Sequence, residues 1–312
     1  MTSRPSGPHG LLLLDKPAGI TSHDLVARTR RALGTRKVGH AGTLDPMATG
    51  LMLVGVGDAT RLLTFLVGDD KTYEATVRLG IATSTEDADG EVVAVSPPEA
   101  VAAIGLERLR DAAAGLTGAI EQVPSAVSAI KIDGKRAYRR VRDGEEVELP
   151  ARPVTIHELE VRDAAPARAD DGAAVVDARL RVRCSSGTYV RALGRDLGAA
   201  LGVGAHLTAL RRTAVGPFDV ARAADLEGDD PAAALLPVAE LAAARFPVLR
   251  ADAAQAVALR HGQRIEAPAG LADERGPVAA IDPDGALIGV VEIRGGRTRT
   301  LMNLPQREED GA

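Results

Sequence analysis

The stretch GHAGTLDPMATG, at residues 39–50, decides how this chain is interpreted. It places several glycines, the histidine His40 and one carboxylate, Asp45, around Pro46. Glycine permits backbone angles that other residues avoid and proline restricts them, so a loop of this composition can hold a carboxylate in a defined place. An Asp-Pro pair is also common at the start of an ordinary turn. The stretch alone therefore leaves both roles of Asp45 open.

Short elements are predicted just before this stretch. Residues 11–14 predict a buried strand, and Thr21 or Ser22 caps a helix that ends before Gly34. Lys16 then lies on a loop at the end of the strand. The glycine-rich stretch itself is expected to be a loop along its whole length.

Apolar periodicity predicts the elements that follow. Residues 71–79 alternate, so that Tyr73 faces an interior or a cleft. We expect a polar loop at residues 83–90, one amphipathic helix at residues 99–115 and a loop insertion at residues 163–174. Further strands are predicted at residues 51–56, 126–132, 175–184 and 205–215, and a further helix at residues 189–201. Helix and strand signals mix along the chain, which indicates an α+β fold.

The last part of the chain has a different pattern. Three short strands are predicted at residues 278–281, 286–293 and 298–304, because good hairpin turns, Asp284-Gly285 and Gly295-Gly296, separate them. We therefore expect two domains, one over residues 1–243 and a small β-rich one over residues 244–312.

The formal net charge is −5, but the charges are distributed unevenly along the chain. An acidic balance argues against binding to polyanions, because phosphate neutralisation needs clustered Lys and Arg. Residues 221–312 hold the acidic excess, with 10 basic and 15 acidic residues, whereas residues 1–220 carry 28 of each. Basic residues cluster at residues 28–37 and 131–142, as either binding patches or ordinary solvated surfaces.

Cofactor and metal signatures are missing at the required spacing. Gly50 precedes Leu51 and Met52 where a phosphate-binding P-loop requires Lys and then Ser or Thr. The six histidines are scattered, and the single cysteine, Cys184, cannot complete a structural zinc site. Its place in an alternating strand favours an inert core thiol. We expect no metal and no small-molecule cofactor.

Targeting and membrane signals are also missing from the sequence. Residues 1–10 lack the apolar core of a signal peptide, and a lone cysteine cannot form an internal disulfide. The apolar stretches fall far short of the roughly 20 residues that cross a bilayer. We expect a cytoplasmic protein without membrane contact and, since no heptad pattern is present, a monomer.

Residues 39–50, preceded by GLLLLDKP at residues 10–17, closely resemble the signature of the TruB family of tRNA pseudouridine-55 synthases. The resemblance extends in order over residues 10–220. The blocks that continue it are DKTYE (70–74), residues 80–90 with Asp87 and Asp89, QVPS (122–125), Tyr138, SGTYVR (186–191), GAH (204–206) and LRR (210–212). It implies a pseudouridine-synthase-like mixed, largely antiparallel sheet flanked by helices, with a small β-rich, PUA-like C-terminal domain.

This resemblance assigns roles to residues around a pocket for one base. It implies that Asp45 is the catalytic nucleophile, that Tyr73 packs on the target uracil and that Arg191 pairs with the catalytic carboxylate. Extruding a base from a folded loop costs a few kcal/mol, and aromatic stacking contributes about 1–3 kcal/mol per base. Tyr73 and Tyr189 are therefore the expected aromatic pocket residues, with Leu210 as an apolar wall.

Other matching positions have less specific roles. The family pattern implies that His40 contacts the refolded T-loop. Lys16 matches a position near the active site, where it would hold a phosphate or support the region of Asp45. Asp87 would contact the flipped nucleotides or make polar turns with Asp89.

Two further regions are candidates for RNA contact. Tyr138 lies beside the second basic cluster. The acidic C-terminal domain could meet an acceptor stem through Arg294, Arg297 and Arg299, or it could serve as a structural cap.

The implied activity is the isomerisation of uridine 55 in the T-loop of tRNA, with the T-arm as the partner. Detaching uracil and rejoining it through carbon 5 requires no redox equivalents or energy source, in agreement with the missing cofactor signatures. The carboxylate could attack carbon 6 of the base, attack carbon 1′ of the sugar or assist a glycal intermediate. A non-enzymatic RNA-binding factor and a synthase for another RNA are the alternative functions.

Overall fold

The computed structural model describes residues 7–125, 131–132, 135–136 and 149–305 of the 312-residue chain. Within these ranges, no helix is long and apolar enough to span a membrane. Tyr138, most of the strand predicted at residues 126–132 and most of the second basic cluster lie outside the described residues.

The strands fall into four sheets. In chain order they are β1 (Gly10–Lys16), β2 (Val38–Ala41), β3 (Thr49–Val56), β4 (Lys71–Leu79), β5 (Ile81–Thr83), β6 (Val92–Val95), β7 (Gly118–Gln122), β8 (Lys131–Ile132), β9 (Lys135–Arg136), β10 (Arg152–Arg168), β11 (Ala174–Cys184), β12 (Ala205–Val215), β13 (Phe218–Asp219), β14 (Val248–Arg250), β15 (Pro277–Ile281), β16 (Leu287–Arg294) and β17 (Arg297–Asn303).

The helices lie between these strands in the chain. They are α1 (Ser22–Ala32), α2 (Leu63–Leu66), α3 (Pro98–Ala102), α4 (Leu106–Gly115), α5 (Val190–Leu201), α6 (Val238–Arg245) and α7 (Ala253–Arg260), with 3₁₀ turns at Gly57–Arg61, Val220–Arg222 and Ala269–Leu271. Thr21 caps α1 in a capping box with Asp24, as the sequence predicts for one of its two candidate caps.

The largest sheet is mixed and mostly antiparallel, as predicted. Its strand order is β1-β3-β12-β4-β11-β10-β7, with β2 paired to β3 and β13 to β12. The pairing of β12 with β3 is parallel and places Arg211 opposite Thr49 and Arg212 opposite Gly50. This short junction brings the end of the glycine-rich loop next to β12.

Two apolar cores cover opposite faces of the same strands. Leu12 and Leu14 of β1 lie in a core with residues of α1, α4 and α5. Leu11 and Leu13 lie in a second core with residues of α6, β15 and β16. A strand with both faces buried appears as a continuous apolar run, which explains the four consecutive leucines.

The C-terminal strands form their own sheet, in the order β14-β15-β16-β17. The three strands predicted there from hairpin signals are confirmed as β15, β16 and β17. Helix α7 packs on one face of this sheet through Ala256 and Leu259. The mixed α+β class with a small C-terminal sheet is therefore confirmed.

Four local predictions were wrong. Lys16 is the last residue of β1 and does not lie on a loop after that strand. The stretch 39–50 is a loop only over residues 42–48, because β2 extends to Ala41 and β3 begins at Thr49. The helix predicted at 99–115 is divided at Gly105, whose extended backbone precedes α4. The proposed insertion at 163–174 is instead the end of the β10–β11 hairpin, since cross-strand pairing continues to Arg168 opposite Ala174.

Candidate active site

Two buried side chains hold the loop that carries Asp45. Ser22, in the first turn of α1, donates its hydroxyl to the Leu44 carbonyl at 3.0 Å and accepts the Leu44 amide at 2.9 Å. The Lys16 ammonium donates to the Pro46 carbonyl at 3.2 Å and to the Ile20 carbonyl at 2.8 Å. The residues before and after Asp45 are therefore both fixed by the segment 16–22.

Arg212 holds the same loop from the side of β12. Its guanidinium is buried and donates to the carbonyls of Leu51 at 2.8 Å, Gly42 at 3.1 Å and Thr43 at 3.4 Å. At Gly50, an added Cβ would lie 2.2 Å from the Arg212 carbonyl oxygen, which explains why this contact requires glycine. The loop thus rests directly on the end of β12.

Asp45 forms an ion pair with Arg191. The Arg191 Nε donates to Asp45 Oδ2 at 2.9 Å, and the arginine side chain is 5% exposed whereas the aspartate side chain is 38% exposed. Arg191 also donates to the Thr85 carbonyl at 2.7 Å and lies 3.5 Å from Asp87 Oδ2. Because the guanidinium is held on its far side, it presents one edge to Asp45.

A cavity of about 270 Å³ opens beside this pair. Its lining includes Asp45, Tyr73, Tyr189, Arg191 and Leu210. Five of the eight site residues predicted from the sequence are therefore brought together at one cavity by four different elements. The other three, Lys16, His40 and Asp87, do not line it.

Gln122 fixes the backbone of Tyr189 at the cavity wall. Its amide group donates to the Tyr189 carbonyl at 3.1 Å and accepts the Tyr189 amide at 2.9 Å. Gln122 is buried at the end of β7, so this paired contact connects β7 to the residue that precedes α5. Tyr73 approaches the cavity from β4, on the buried face that its alternation predicts.

Four cations at or beside the cavity are buried, namely Lys16, Lys71, Arg191 and Arg212. Burial and charged neighbours shift the pKa values of several side chains there. Burial lowers the pKa of the Lys16 ammonium to about 8, although the nearby Asp45 opposes this shift. Burial, together with Arg212, lowers the pKa of Lys71. Burial raises the pKa of the Tyr73 phenol, against the opposing influence of Arg212, to which it is hydrogen-bonded. Tyr73 is therefore a neutral aromatic surface at physiological pH.

The remaining predicted residues occupy supporting or peripheral positions. Lys16 is fully buried, a placement that favours support of the Asp45 region over direct contact with a phosphate. Asp87 is buried, and its carboxylate accepts the Asp89 amide at 3.2 Å, which confirms the predicted polar turn. His40, on β2, packs edge-on to His23 with ring centroids 5.8 Å apart. Burial, His23 and Arg212 lower the pKa of His40.

Sequence reasoning gave no role to Lys71, Arg212 or Gln122. Lys71 and Arg212 line the cavity, and each donates to backbone carbonyls: Lys71 to those of Val67 and Asp69, both at 2.6 Å. All three lie within blocks that carried the family resemblance. Their places in those blocks were the available signal.

Two other expectations concern cysteine and metal. Cys184 is buried in β11, and burial raises the pKa of its thiol to about 11, which agrees with an inert core cysteine. In the part of the chain that the structure describes, no group of three or more His, Cys, Asp and Glu side chains could hold a metal ion.

Comparison with known proteins adds to this geometry. The model of the TruB family pseudouridylate synthase N-terminal domain matches residues 30–190. This chain belongs to the TruB family. The match continues with a tRNA pseudouridylate synthase B C-terminal domain over residues 191–233 and a tRNA pseudouridine synthase II C-terminal model over residues 246–305. The chain is therefore a pseudouridine synthase, and the alternative of a non-enzymatic binding factor loses its support.

Curated members of the TruB family align over nearly the full length. The tRNA pseudouridine synthase B of Leifsonia xyli subsp. xyli is 56% identical over 96% of this chain and 97% of its own length. The protein of the same name from Thermobifida fusca is 52% identical over 94% of this chain and 97% of its own length. The family resemblance read from residues 10–220 is confirmed and extends through the C-terminal sheet.

Solved structures share the TruB-like fold. A chain from an H/ACA ribonucleoprotein bound to a substrate RNA containing 2′-deoxyuridine superposes with a TM-score of 0.69 at 21% identity, covering 98% of this chain and 92% of the other. A chain from a Cbf5-Nop10-Gar1 complex gives a TM-score of 0.68 at 24% identity, with coverages of 98% and 90%. At these identities the likeness concerns the fold alone.

Proposed function

We propose that this enzyme converts uridine 55 in the T-loop of tRNA to pseudouridine, with Asp45 as the nucleophile. The observation that carries this proposal is the Asp45–Arg191 ion pair at the wall of a cavity to which Tyr73, Tyr189 and Leu210 add aromatic and apolar surfaces. The curated relatives, named tRNA pseudouridine synthase B, supply the substrate class.

Asp45 has the properties that the reaction requires. Its side chain is more than one-third exposed, whereas Arg191 is almost fully buried, so the carboxylate faces the cavity while the guanidinium stays behind it. In the isomerisation the bond between N1 and carbon 1′ breaks, the uracil turns, and carbon 5 bonds to carbon 1′ and loses its proton as N1 regains one. A carboxylate at one cavity wall can act on either the base or the sugar.

The cavity suits a single extruded base. Tyr73 and Tyr189 supply aromatic surfaces and Leu210 an apolar one, and stacking of this kind contributes about 1–3 kcal/mol per base. That contribution offsets the cost of a few kcal/mol for removing the uridine from the T-loop stack. Binding energy therefore comes from stacking, which leaves Asp45 free for chemistry.

The residues outside the cavity have positioning roles in this proposal. Lys16 holds Pro46, and Asp87 holds Arg191 from its buried side. His40 lies on β2, which pairs with β3 and comes immediately before the Asp45 loop, and we assign it contact with the rest of the T-loop. In the C-terminal sheet, Arg294 and Arg299 are both paired with Glu292, at 2.9 and 3.0 Å. This pairing favours the cap role for that region.

The assignment of the substrate is tested by mapping pseudouridine in three unmodified RNAs: a full tRNA transcript, a T-arm stem-loop and a ribosomal RNA fragment. We expect conversion at uridine 55 in the tRNA and at the equivalent uridine in the stem-loop, without added metal or nucleotide. Replacing that uridine by cytidine should abolish the product. Conversion confined to the ribosomal fragment, or at another tRNA position, would contradict the proposed substrate.

A further inference from the structure

A second arginine of α5 connects the active site to a strained turn that the reaction does not touch. Arg191 and Arg195 are four residues apart in α5 and so project from the same face of the helix. Arg191 binds Asp45, and Arg195 binds Glu86, with 2.6 Å between Arg195 Nη1 and Glu86 Oε1. Both arginines therefore hold the segment 85–87.

Glu86 has an unusual backbone conformation. It is the one non-glycine residue with a positive φ, 62°, in the part of the chain that the structure describes. A left-handed conformation costs a residue with a Cβ roughly 1–2 kcal/mol, so other contacts must hold it. The Glu86 amide donates to the Thr83 carbonyl at 3.2 Å, and its carbonyl accepts the Leu207 amide at 3.0 Å.

The Glu86 carboxylate completes these contacts. Its second oxygen accepts the hydroxyl of Ser125, and its side chain is only 15% exposed. Arg195 also donates to the Val123 carbonyl at 2.8 Å. Glu86 and Arg195 therefore form a charged pair that is mostly buried and connected to the end of β7. Such a pair keeps its geometry far better than a solvated surface pair does.

The left-handed backbone conformation of Glu86 orients the two groups that support Arg191. The acceptors on the buried side of Arg191 are the Thr85 carbonyl, at 2.7 Å, and Asp87 Oδ2, at 3.5 Å. They lie on either side of Glu86 in the chain, so the backbone angle at Glu86 determines whether both point at the same guanidinium. A turn with the usual negative φ would direct one of them elsewhere.

We propose that Glu86 and Arg195 form a positioning pair that fixes Arg191, and through it Asp45, for the isomerisation. Neither residue lines the cavity. This inference rests on the proposed role of Asp45 but adds residues that neither the cavity nor the family resemblance identified. Small displacements of catalytic groups are costly, since a misplacement of about 1 Å can reduce a rate on the order of 100-fold.

The test is a single-turnover assay at saturating enzyme, combined with the Kd for the same tRNA and with thermal unfolding. Glu86→Ala and Arg195→Ala should each lower the rate of pseudouridine formation by about 10- to 100-fold. The Kd should stay within about twofold, because neither side chain lines the cavity. The double variant should be no slower than the worse single one, as expected for groups that act as a unit.

Two further variants separate positioning from folding. Glu86→Gly removes the left-handed strain together with the carboxylate, so it should be as slow as Glu86→Ala while unfolding at a higher temperature. Arg195→Lys keeps the charge and should recover part of the rate. A matched control is the exposed pair Arg222 and Glu240, 3.2 Å apart, whose alanine variants should match wild type.

The outcome distinguishes this inference from the proposed function. Pseudouridine is counted at whichever uridine the wild type converts, so a different target position would contradict the substrate assignment without affecting the comparison of variants. Rates of the Glu86 and Arg195 variants equal to those of the control pair would overturn the inference. So would a loss that appears entirely in the Kd, or a Glu86→Gly variant with the wild-type rate.

Discussion

At the residue scale, buried cations that bind backbone carbonyls build the site. Lys16, Lys71 and Arg212 each donate to carbonyl oxygens at distances between 2.6 and 3.4 Å. A buried charge is costly unless it is paired or hydrogen-bonded, and carbonyl acceptors meet that need without adding negative charge. Asp45 and Arg191 can then form their own ion pair at the cavity, which is the arrangement that the proposed chemistry uses.

The pKa of Lys16 predicts how stability depends on pH. Burial lowers this pKa to about 8 from an ordinary value of 10.5, so between these values the unfolded chain binds more protons than the folded one. Stability rises with pH under that condition, as the cost of burying the charged ammonium is relieved. The stability of wild type relative to Lys16→Met should therefore increase from pH 7 to pH 9.5. Urea unfolding at several pH values measures this, and a constant or falling difference would contradict it.

Prediction of the site from the sequence succeeded for residues whose positions match the motifs of the TruB family. Asp45, Tyr73, Tyr189, Arg191 and Leu210 were predicted to share a pocket, and the structure places them around one cavity. Their roles in the reaction stay predictions. Arg212 received no role because its partners are carbonyls of distant segments, which no local pattern reveals. The Lys71 contacts with the Val67 and Asp69 carbonyls depend on the shape of the turn that precedes β4. Glu86 was missed for the same reason as Arg212, since its backbone angle is set by contacts with β12 and α5.

At the element scale, the junction of β3 with β12 fixes the loop that carries Asp45. Two glycines have a positive φ, but only one of them also lacks room for a Cβ atom. Comparing them distinguishes the cost of the backbone angle from the cost of a steric clash. At Gly50, with φ 101°, an added Cβ would lie 2.2 Å from a backbone atom of Arg212. At Gly172, with φ 86°, in the β10–β11 turn, nothing lies within 4 Å.

This pair gives a matched prediction. Gly172→Ala should lower the free energy of unfolding by about 1–2 kcal/mol, the cost of the backbone angle alone. Gly50→Ala should lower it by clearly more and also reduce activity, because β3 and β12 must separate to admit the methyl group. Denaturant unfolding and single-turnover rates measure both effects. Equal losses for the two variants would show that the junction is not tightly packed.

Element boundaries were predictable where a local signal coincides with the boundary. The cap at Thr21, the alternation of β4 and the Asp284-Gly285 and Gly295-Gly296 turns of the C-terminal hairpins are such signals. The end of the β10–β11 hairpin, at residues 163–174, was predicted as a loop insertion because it is rich in alanine and in charged residues. Its strands form there because β10 and β11 pair with each other as far as the turn at residues 169–173, a contact that composition does not encode.

At the scale of the whole molecule, one apolar core joins the two main sheets. Leu11 and Leu13 of β1 lie in the same buried cluster as Ile281 and Val290 of the C-terminal sheet. The division between residues 243 and 244 stays a prediction from the sequence, and α6 spans that position. Removal of residues 244–312 would expose this cluster to water, at a cost of about 25 cal/mol for each Å² of apolar surface.

The shared core predicts cooperative unfolding. Calorimetry of the full chain should show a single transition, and a chain that ends at residue 243 should unfold at a lower temperature, with more exposed apolar surface detected by dye binding. Two well-separated transitions, or a truncated chain as stable as the intact one, would instead show two independent domains.

The most direct test of the account is a single-turnover assay of wild type, Asp45→Asn and Asp171→Asn with unmodified tRNA, followed by mapping of pseudouridine at each position. Asp171 is an exposed residue of the β10–β11 turn whose carboxylate accepts the Ala173 amide at 3.0 Å, so it serves as the matched control. We expect product at uridine 55 from wild type and Asp171→Asn, and a loss on the order of 10⁴-fold or more for Asp45→Asn, with tRNA binding retained. Conversion by Asp45→Asn at a rate close to that of wild type would contradict the assignment of Asp45 as the nucleophile.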